Sequence, residues 1–225
     1  KALTLLADHL FSSSLLLAEQ IELGLIDVRG KTCIELGAGC GLPSLLSATQ
    51  SPGPSLVILT DYPAEIIIQP LAANVERNSA LFAKGCEVRA IGYEWGSDPA
   101  ALLELLPKTQ LVSITPRKFD VLFLSDLLYF DRSHILLVTS ASSLLSHSPS
   151  SRVYVAAGNY TPPAVCDAFF KLARDANLHF EEQPTPNEKW RGTPEVWRTR
   201  REKLSLETLG KRKASCRWWI GRWAD

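Results

Sequence analysis

The sequence predicts an α/β fold, a mostly parallel sheet with one antiparallel strand and helices on both faces. Three observations predict it. Strand and helix patterns alternate five times along the chain, which implies a parallel sheet wrapped by right-handed helical connections. Leu56 to Leu59 is an unbroken apolar run, suited to burial on both faces. The last two strands follow one another without a full helix between them, so they pair as a hairpin.

The elements follow in order. Residues 2–23 carry leucines and isoleucines at three- and four-residue steps, a helical face. Ser12, Ser13 and Ser14 interrupt it and are placed to cap a second helix. Lys31 to Leu36 is a short buried strand, and the glycine cluster Gly37, Gly39, Gly41 leads into a helix over Leu42 to Thr49 with Pro43 just inside its start. Leu56 to Thr60 is the second strand, and Ala64 to Ala80 a helix interrupted at Pro70. Glu87 to Tyr93 alternates as a strand, and Asp98 to Leu106 is a short helix. Phe119 to Leu124, Arg152 to Ala157 and Leu178 to Glu182 are strands, separated by helices over Arg132 to Leu145 and Ala164 to Ala176. A Pro-containing basic stretch, Pro184 to Lys213, has a weak helical pattern over Glu195 to Leu209, and the aromatic strand Arg217 to Trp223 closes the chain. The whole, residues 1–225, is expected to be a single domain, with 1–30 as its N-terminal helical segment and 184–213 as an insertion before the last strand.

At 225 residues with 46% hydrophobic and 21% charged residues, the composition is that of a globular protein. No apolar run exceeds five residues, so no membrane-spanning helix is expected, and nothing at the start resembles a signal peptide. Five cysteines without a C-x-x-C pair point to reduced thiols in the cytoplasm or nucleus. The cysteines and the four histidines lack metal-ligand spacing, and His134 is expected on a helix rather than as a base. Net charge is zero, but residues 189–225 hold 11 Lys/Arg against 4 Asp/Glu. Such a basic tail is either a solvated loop or a docking surface.

In an open α/β sheet the ligand site lies at the carboxyl ends of the strands, at the topological switch. There the chain reads Glu35-Leu36-Gly37-Ala38-Gly39-Cys40-Gly41. Leu42 stands where the dinucleotide fingerprint needs its last glycine, and no Gly-Lys-Ser/Thr follows, so neither a dinucleotide nor a phosphate loop is present. A carboxylate at Glu35 repels pyrophosphate and suits a cationic ligand such as a sulfonium. Asp61, ending the second strand, is placed to accept both hydroxyls of a ribose. The pair points to S-adenosylmethionine. The plain alternatives are a structural glycine turn and a lone surface acid.

Glu35 to Ser44 closely resembles motif I of the seven-strand S-adenosylmethionine methyltransferases. Thr60-Asp61-Tyr62-Pro63, Gly92-Tyr93-Glu94-Trp95-Gly96 and Ser125-Asp126-Leu127-Leu128-Tyr129 are similar to the lysine-methyltransferase-like group, including fungal proteins labelled nicotinamide N-methyltransferase-like. A characterised member of that group methylates the N-terminus and adjacent lysine of a translation elongation factor. The resemblance implies a Rossmann-like, seven-stranded class I methyltransferase sheet. It implies that Gly37, Ala38 and Gly39 pack on the cofactor's amino-acid end with Glu35 close by. Asp61 would take the ribose, Tyr62 and Trp95 would border the adenine, and Ser125 would meet the cofactor through its main chain. Asp126 and Tyr129 match the group's D-x-x-Y/F signature at the substrate entrance. The alternatives are a core tryptophan at Trp95 and a helix-capping aspartate at Asp126. Two positions depart from the group: Leu10-Phe11 replace its N-terminal tryptophan, and Asn159-Tyr160 stand where some relatives carry histidine or arginine.

The expected activity is therefore N-methylation of a protein lysine or N-terminal amine, with S-adenosylhomocysteine as product. A small-molecule methyltransferase acting on a nicotinamide-like amine is the alternative, and a non-catalytic binding module the third reading. A protein substrate such as a translation factor is expected, with no membrane and no nucleic acid as partner, and a monomer.

Overall fold

The structure is a computed structural model that describes residues 9–107, 117–193 and 204–224. Seven strands form one sheet: β1 (Thr32–Leu36), β2 (Leu56–Asp61), β3 (Glu87–Gly92), β4 (Val121–Ser125), β5 (Arg152–Gly158), β6 (Leu178–Glu182) and β7 (Cys216–Trp223). Their order is β3-β2-β1-β4-β5-β7-β6. The first five run parallel, and β7 inserts antiparallel between β5 and β6. The switch in strand order falls between β1 and β4, where the connections leave in opposite directions and open a crevice.

Side chains alternate across this sheet with period two. Ile34, Leu36, Leu122, Leu124, Val153 and Val155 enter one apolar cluster, while Cys33, Val121, Phe123, Tyr154 and Ala156 enter the other. The first cluster is closed by α4 (Ala100–Leu103), α5 (His134–Leu144) and α6 (Pro163–Asp175). The second is closed by α1 (Ser12–Glu22), α2 (Leu42–Thr49), α3 (Glu65–Asn78) and α7 (Leu206–Ala214). Strands β1 and β4 are buried at every residue, as expected of parallel strands covered on both faces. Edge strand β3 alternates between exposed and half-buried positions instead.

Two elements differ from the sequence expectation. A helix does start at the serines: α1 begins at Ser12 itself, with Phe11 as its N-cap and no side-chain cap, so the serines form its first turn and do not cap it. The expected helical stretch at residues 2–8 lies outside the described residues. A full helix, α7, does precede β7, later than the weak pattern over 195–209, and residues 194–203 are outside the described set. Ser205 caps it by accepting from Thr208 N–H at 3.1 Å.

The described flanks of the basic stretch are not simply solvated. Trp190 and Lys213 are buried. Lys213 Nζ donates to both Glu19 carboxylate oxygens, at 2.6 and 2.5 Å, and to Lys189 O at 2.7 Å. Arg191 N–H also donates to Glu19, at 2.6 Å. Two flanks of the insertion are thus clamped onto α1, the helix that leads into the crevice.

Candidate active site

The loop after β1 turns because three glycines adopt left-handed backbone, with φ of 60° at Gly37, 53° at Gly39 and 77° at Gly41. A side chain at Gly37 would also collide: its Cβ would lie 2.7 Å from Leu127 Cδ2 and 3.1 Å from Trp95 Cζ2. The loop is pinned to β2. Ala38 N–H donates to Thr60 O at 2.8 Å, and Gly39 N–H to Asp61 Oδ2 at 2.7 Å. Asp61 Oδ1 accepts from Tyr62 N–H at 2.7 Å. A carboxylate offers about four lone-pair sites, so each oxygen retains one for a ligand hydroxyl. Burial raises the Asp61 carboxyl above its ordinary range, and the two backbone donors work against that.

Glu35 does not line the crevice as the sequence led us to expect. It lies on β1 with its side chain on the face of Cys33, so alternation sends it under α2 instead of out of the strand end. It is fully buried, and its Oε2 accepts from Ser44 N–H at 3.2 Å in the first turn of α2. Burial pushes its carboxyl up to about 8, outweighing the help from Ser44. At neutral pH it is mostly protonated, a buried helix-end partner and not an anionic mouth.

This has a measurable consequence. Between the unfolded value near 4.5 and the folded value near 8, the unfolded state has released the Glu35 proton and the native state holds it. Native stability therefore falls as pH rises through that window, by about 1.4 kcal/mol per unit, and levels off above it. Glu35→Gln should melt close to wild type at pH 5 and clearly above it at pH 8.5. A constant difference between the two proteins across this range would contradict the assignment.

A cavity of about 440 Å³ opens at the switch point. Gly37, Ala38, Gly39, Asp61, Tyr62 and Trp95 line one part of it, and Ser125, Asp126 and Tyr129 another. Nine of the ten residues singled out from the sequence thus share one cavity, and Glu35 lies behind it. His9, Phe11 and Ser14 close the N-terminal side, with Phe11 in the segment where the related group has tryptophan. Ser14 Oγ and Ser125 Oγ are 2.9 Å apart, tying the start of α1 to the end of β4.

The aromatic wall is held from behind. Trp95 meets Phe130 edge to face at 5.8 Å, and Phe130 lies 3.9 Å from the Tyr129 ring. Ser140 on α5 accepts from Gly96 N–H at 2.8 Å and contacts Tyr93 Oη at 3.2 Å, fixing the Trp95 loop. His134 is buried and donates from Nε2 to Leu128 O at 2.7 Å. It supports the turn between Asp126 and Tyr129, and sequence reasoning placed it on the helix without seeing that contact.

Asp126 is 3% exposed and has φ of 64°, a left-handed conformation that non-glycine residues adopt at a cost. Its N–H donates to Ala156 O at 2.8 Å. Its Oδ1 accepts from Gly158 N–H at 3.2 Å, and its Oδ2 from the Tyr160 hydroxyl. The helix-cap alternative is thereby removed, because the N-cap of α5 is Ser133 and has no side-chain cap.

The crevice fits S-adenosylmethionine on the chemistry of its own groups: a glycine loop that a Cβ would fill, a ribose-suited carboxylate, and an aromatic border. Comparison with known proteins agrees. The chain is 34% identical over 182 residues to "Protein N-terminal and lysine N-methyltransferase EFM7" of Gibberella zeae, covering 78% of this chain and 67% of that protein. It is 32% identical over 200 residues to the protein of the same name in Schizosaccharomyces pombe, covering 86% and 74%. Among solved structures, the Haloferax volcanii complex of the Trm112 methyltransferase activator with a methyltransferase aligns with TM-score 0.55 and 12% identity, over 95% of this chain and 90% of that one. SMU.776, a methyltransferase complexed with S-adenosylhomocysteine, aligns with TM-score 0.52 and 10% identity, over 95% and 50%. Those two likenesses bear on the fold. A family described as lysine methyltransferase matches residues 5–173, and the chain belongs to that family of S-adenosylmethionine-dependent methyltransferases.

Proposed function

We propose that this protein methylates an amine nitrogen of a protein, an N-terminal α-amine or a lysine side chain. The observation that carries the reading is the shape of the cavity mouth. The groups suited to the cofactor's amino-acid end and ribose line the cavity, while Tyr129, on the substrate side, stands at its rim, 43% exposed. A long, extended amine can enter past such a rim, whereas a nicotinamide-like ring calls for a closed pocket. The names of the fungal relatives support the same acceptor class. A protein of the translation machinery, the class methylated by the group's characterised member, is the acceptor we favour over nucleic acid. We further read the enzyme as a monomer of the cytoplasm or nucleus. No disulfide joins any of the five cysteines, which suits a reducing compartment. Among the described residues no helix is long and apolar enough to cross a membrane.

In this reading Gly37, Ala38 and Gly39 hold the cofactor's amino-acid end. Asp61 takes its ribose, and Tyr62 and Trp95 border its adenine, with the main chain at Ser125 beside it. The bound cofactor supplies an activated methyl group and its own leaving group. The chain supplies alignment, and the amine gives up its proton to water at the rim before its lone pair takes the methyl from the sulfonium sulfur. Alignment of bound partners removes roughly 7–11 kcal/mol of barrier. Neutralising a lysine of ordinary pKa at pH 7 costs about 4–5 kcal/mol, so the amine reaches the site with a proton to lose. A carboxylate stabilises the charged amine, so Asp126 orients it and does not remove the proton. Tyr129 provides an aromatic face that favours the cationic product by ~0.5–2 kcal/mol.

Tritiated-methyl cofactor incubated with the protein and a cell extract, then fractionated, tests this. Label is expected in a protein band, and label confined to small molecules would overturn the acceptor class. Cofactor binding is separately visible as a melting shift. Ligand at a hundred times its dissociation constant adds about 2.7 kcal/mol, which for this size is roughly 5–11 °C. A flat melt with both cofactor and its demethylated product would favour a binding module.

A further inference from the structure

Tyr160 stands two residues beyond Gly158, the last residue of β5. Its ring lies against the Gly158 backbone, where a Cβ would come within 2.7 Å of Tyr160 Cζ. The missing side chain at 158 is what lets the ring reach inward. The turn is braced on both sides: Asn159 N–H donates to Ser215 O at 2.9 Å, and Thr161 N–H to Gly158 O at 3.0 Å. From this place the hydroxyl donates to Asp126 Oδ2, while Gly158 N–H donates to Oδ1. Asp126 lines the cavity and Tyr160 does not. Tyr160 is 60% exposed and Asp126 3%, so the phenol backs the carboxylate from the outside.

We infer that Tyr160 is a positioning residue, whose hydroxyl locks the Asp126 carboxylate in the orientation that meets the methyl acceptor, and that Gly158 is required to admit it. The inference rests on the reading of Asp126 as the acceptor-orienting group. The terminal torsion of an aspartate is soft, so a lone carboxylate would turn in its site. Two donors, one on each oxygen, fix its plane. They leave lone pairs on the cavity side for the amine. Burial and the bond to Asp126 hold the phenol well above its ordinary range, so it stays a donor wherever the enzyme works.

The test uses the intact protein, tritiated-methyl cofactor at saturation, and the macromolecular fraction of a cell extract as acceptor pool. Tyr160→Phe should lower the maximal rate about tenfold or more, with the half-saturating acceptor level and the cofactor affinity little changed. Gly158→Ala should give a similar loss, and the double variant should be no worse than either, as expected of residues acting through one contact. Independently of any acceptor, the Tyr160 ring in ¹³C-tyrosine-labelled protein should titrate at lower pH in Asp126→Asn than in wild type. An unmoved titration, or a fully active Tyr160→Phe beside an inactive Asp126→Ala, overturns the inference alone. Full activity in Asp126→Ala overturns the role given to Asp126, and the inference with it.

Discussion

Asp126→Ala is expected to abolish methyl transfer, by at least about 100-fold, because a misplaced acceptor alone costs that much. Cofactor affinity should stay within a few fold, since the ribose and amino-acid ends are assigned to other residues. The side chain sits at φ of 64°, where alanine is strained. Asp126→Asn is therefore the necessary companion: asparagine tolerates that conformation and keeps the shape while losing the charge. If both variants lose transfer and melt like wild type, the carboxylate itself is required. Lost cofactor binding in either would refute the orienting role. Asp61→Ala should show the reverse pattern. Asp61 holds Gly39 N–H at 2.7 Å and offers its remaining lone pairs to the ligand, so its loss loosens the loop and weakens cofactor binding strongly. Calorimetric titration of the cofactor into the Asp61 and Asp126 variants separates the two roles.

Lys213→Met is expected to be the most destabilising single change outside the crevice. It keeps much of the apolar stem but leaves the Glu19 carboxylate, fully buried, without its counter-charge. Removing one partner of a buried pair costs about 3–5 kcal/mol, or roughly 6–20 °C in melting temperature at this size. Replacing both partners by apolar residues, Glu19→Leu with Lys213→Met, should recover most of that loss. A single variant that melts within about 2 °C of wild type, under the smallest shift this cost allows, would show the pair to be solvated. The same pair joins α7 to α1, and Ser14 on α1 lines the cavity. Weakened cofactor binding is therefore expected alongside the loss of stability.

The alternation of strands and helices, the glycine loop and the position of Asp61 were legible because each is a local pattern. Unbroken apolar runs mark strands buried on both faces, and backbone that turns left-handed favours glycine. Nine of ten site residues gathered in one cavity because the parallel topology brings the carboxyl ends of β1 to β5 to the same edge of the sheet. The direction of Glu35 depends on which face of β1 carries α2, and that is a property of packing. Lys213 read as one more cation in a basic run, because nothing nearby in the chain signals a carboxylate 194 residues away. Tyr160 stood in the sequence as a substitution without a partner, since its contact with Asp126 spans 34 residues and requires β4 and β5 to lie side by side. The local sequence thus specified the scaffold and the cofactor edge. Burial beneath α2 decided the charge state of Glu35, and partners distant along the chain, which only close packing brings within hydrogen-bonding range, decided the anchoring of the basic insertion and the orientation of Asp126.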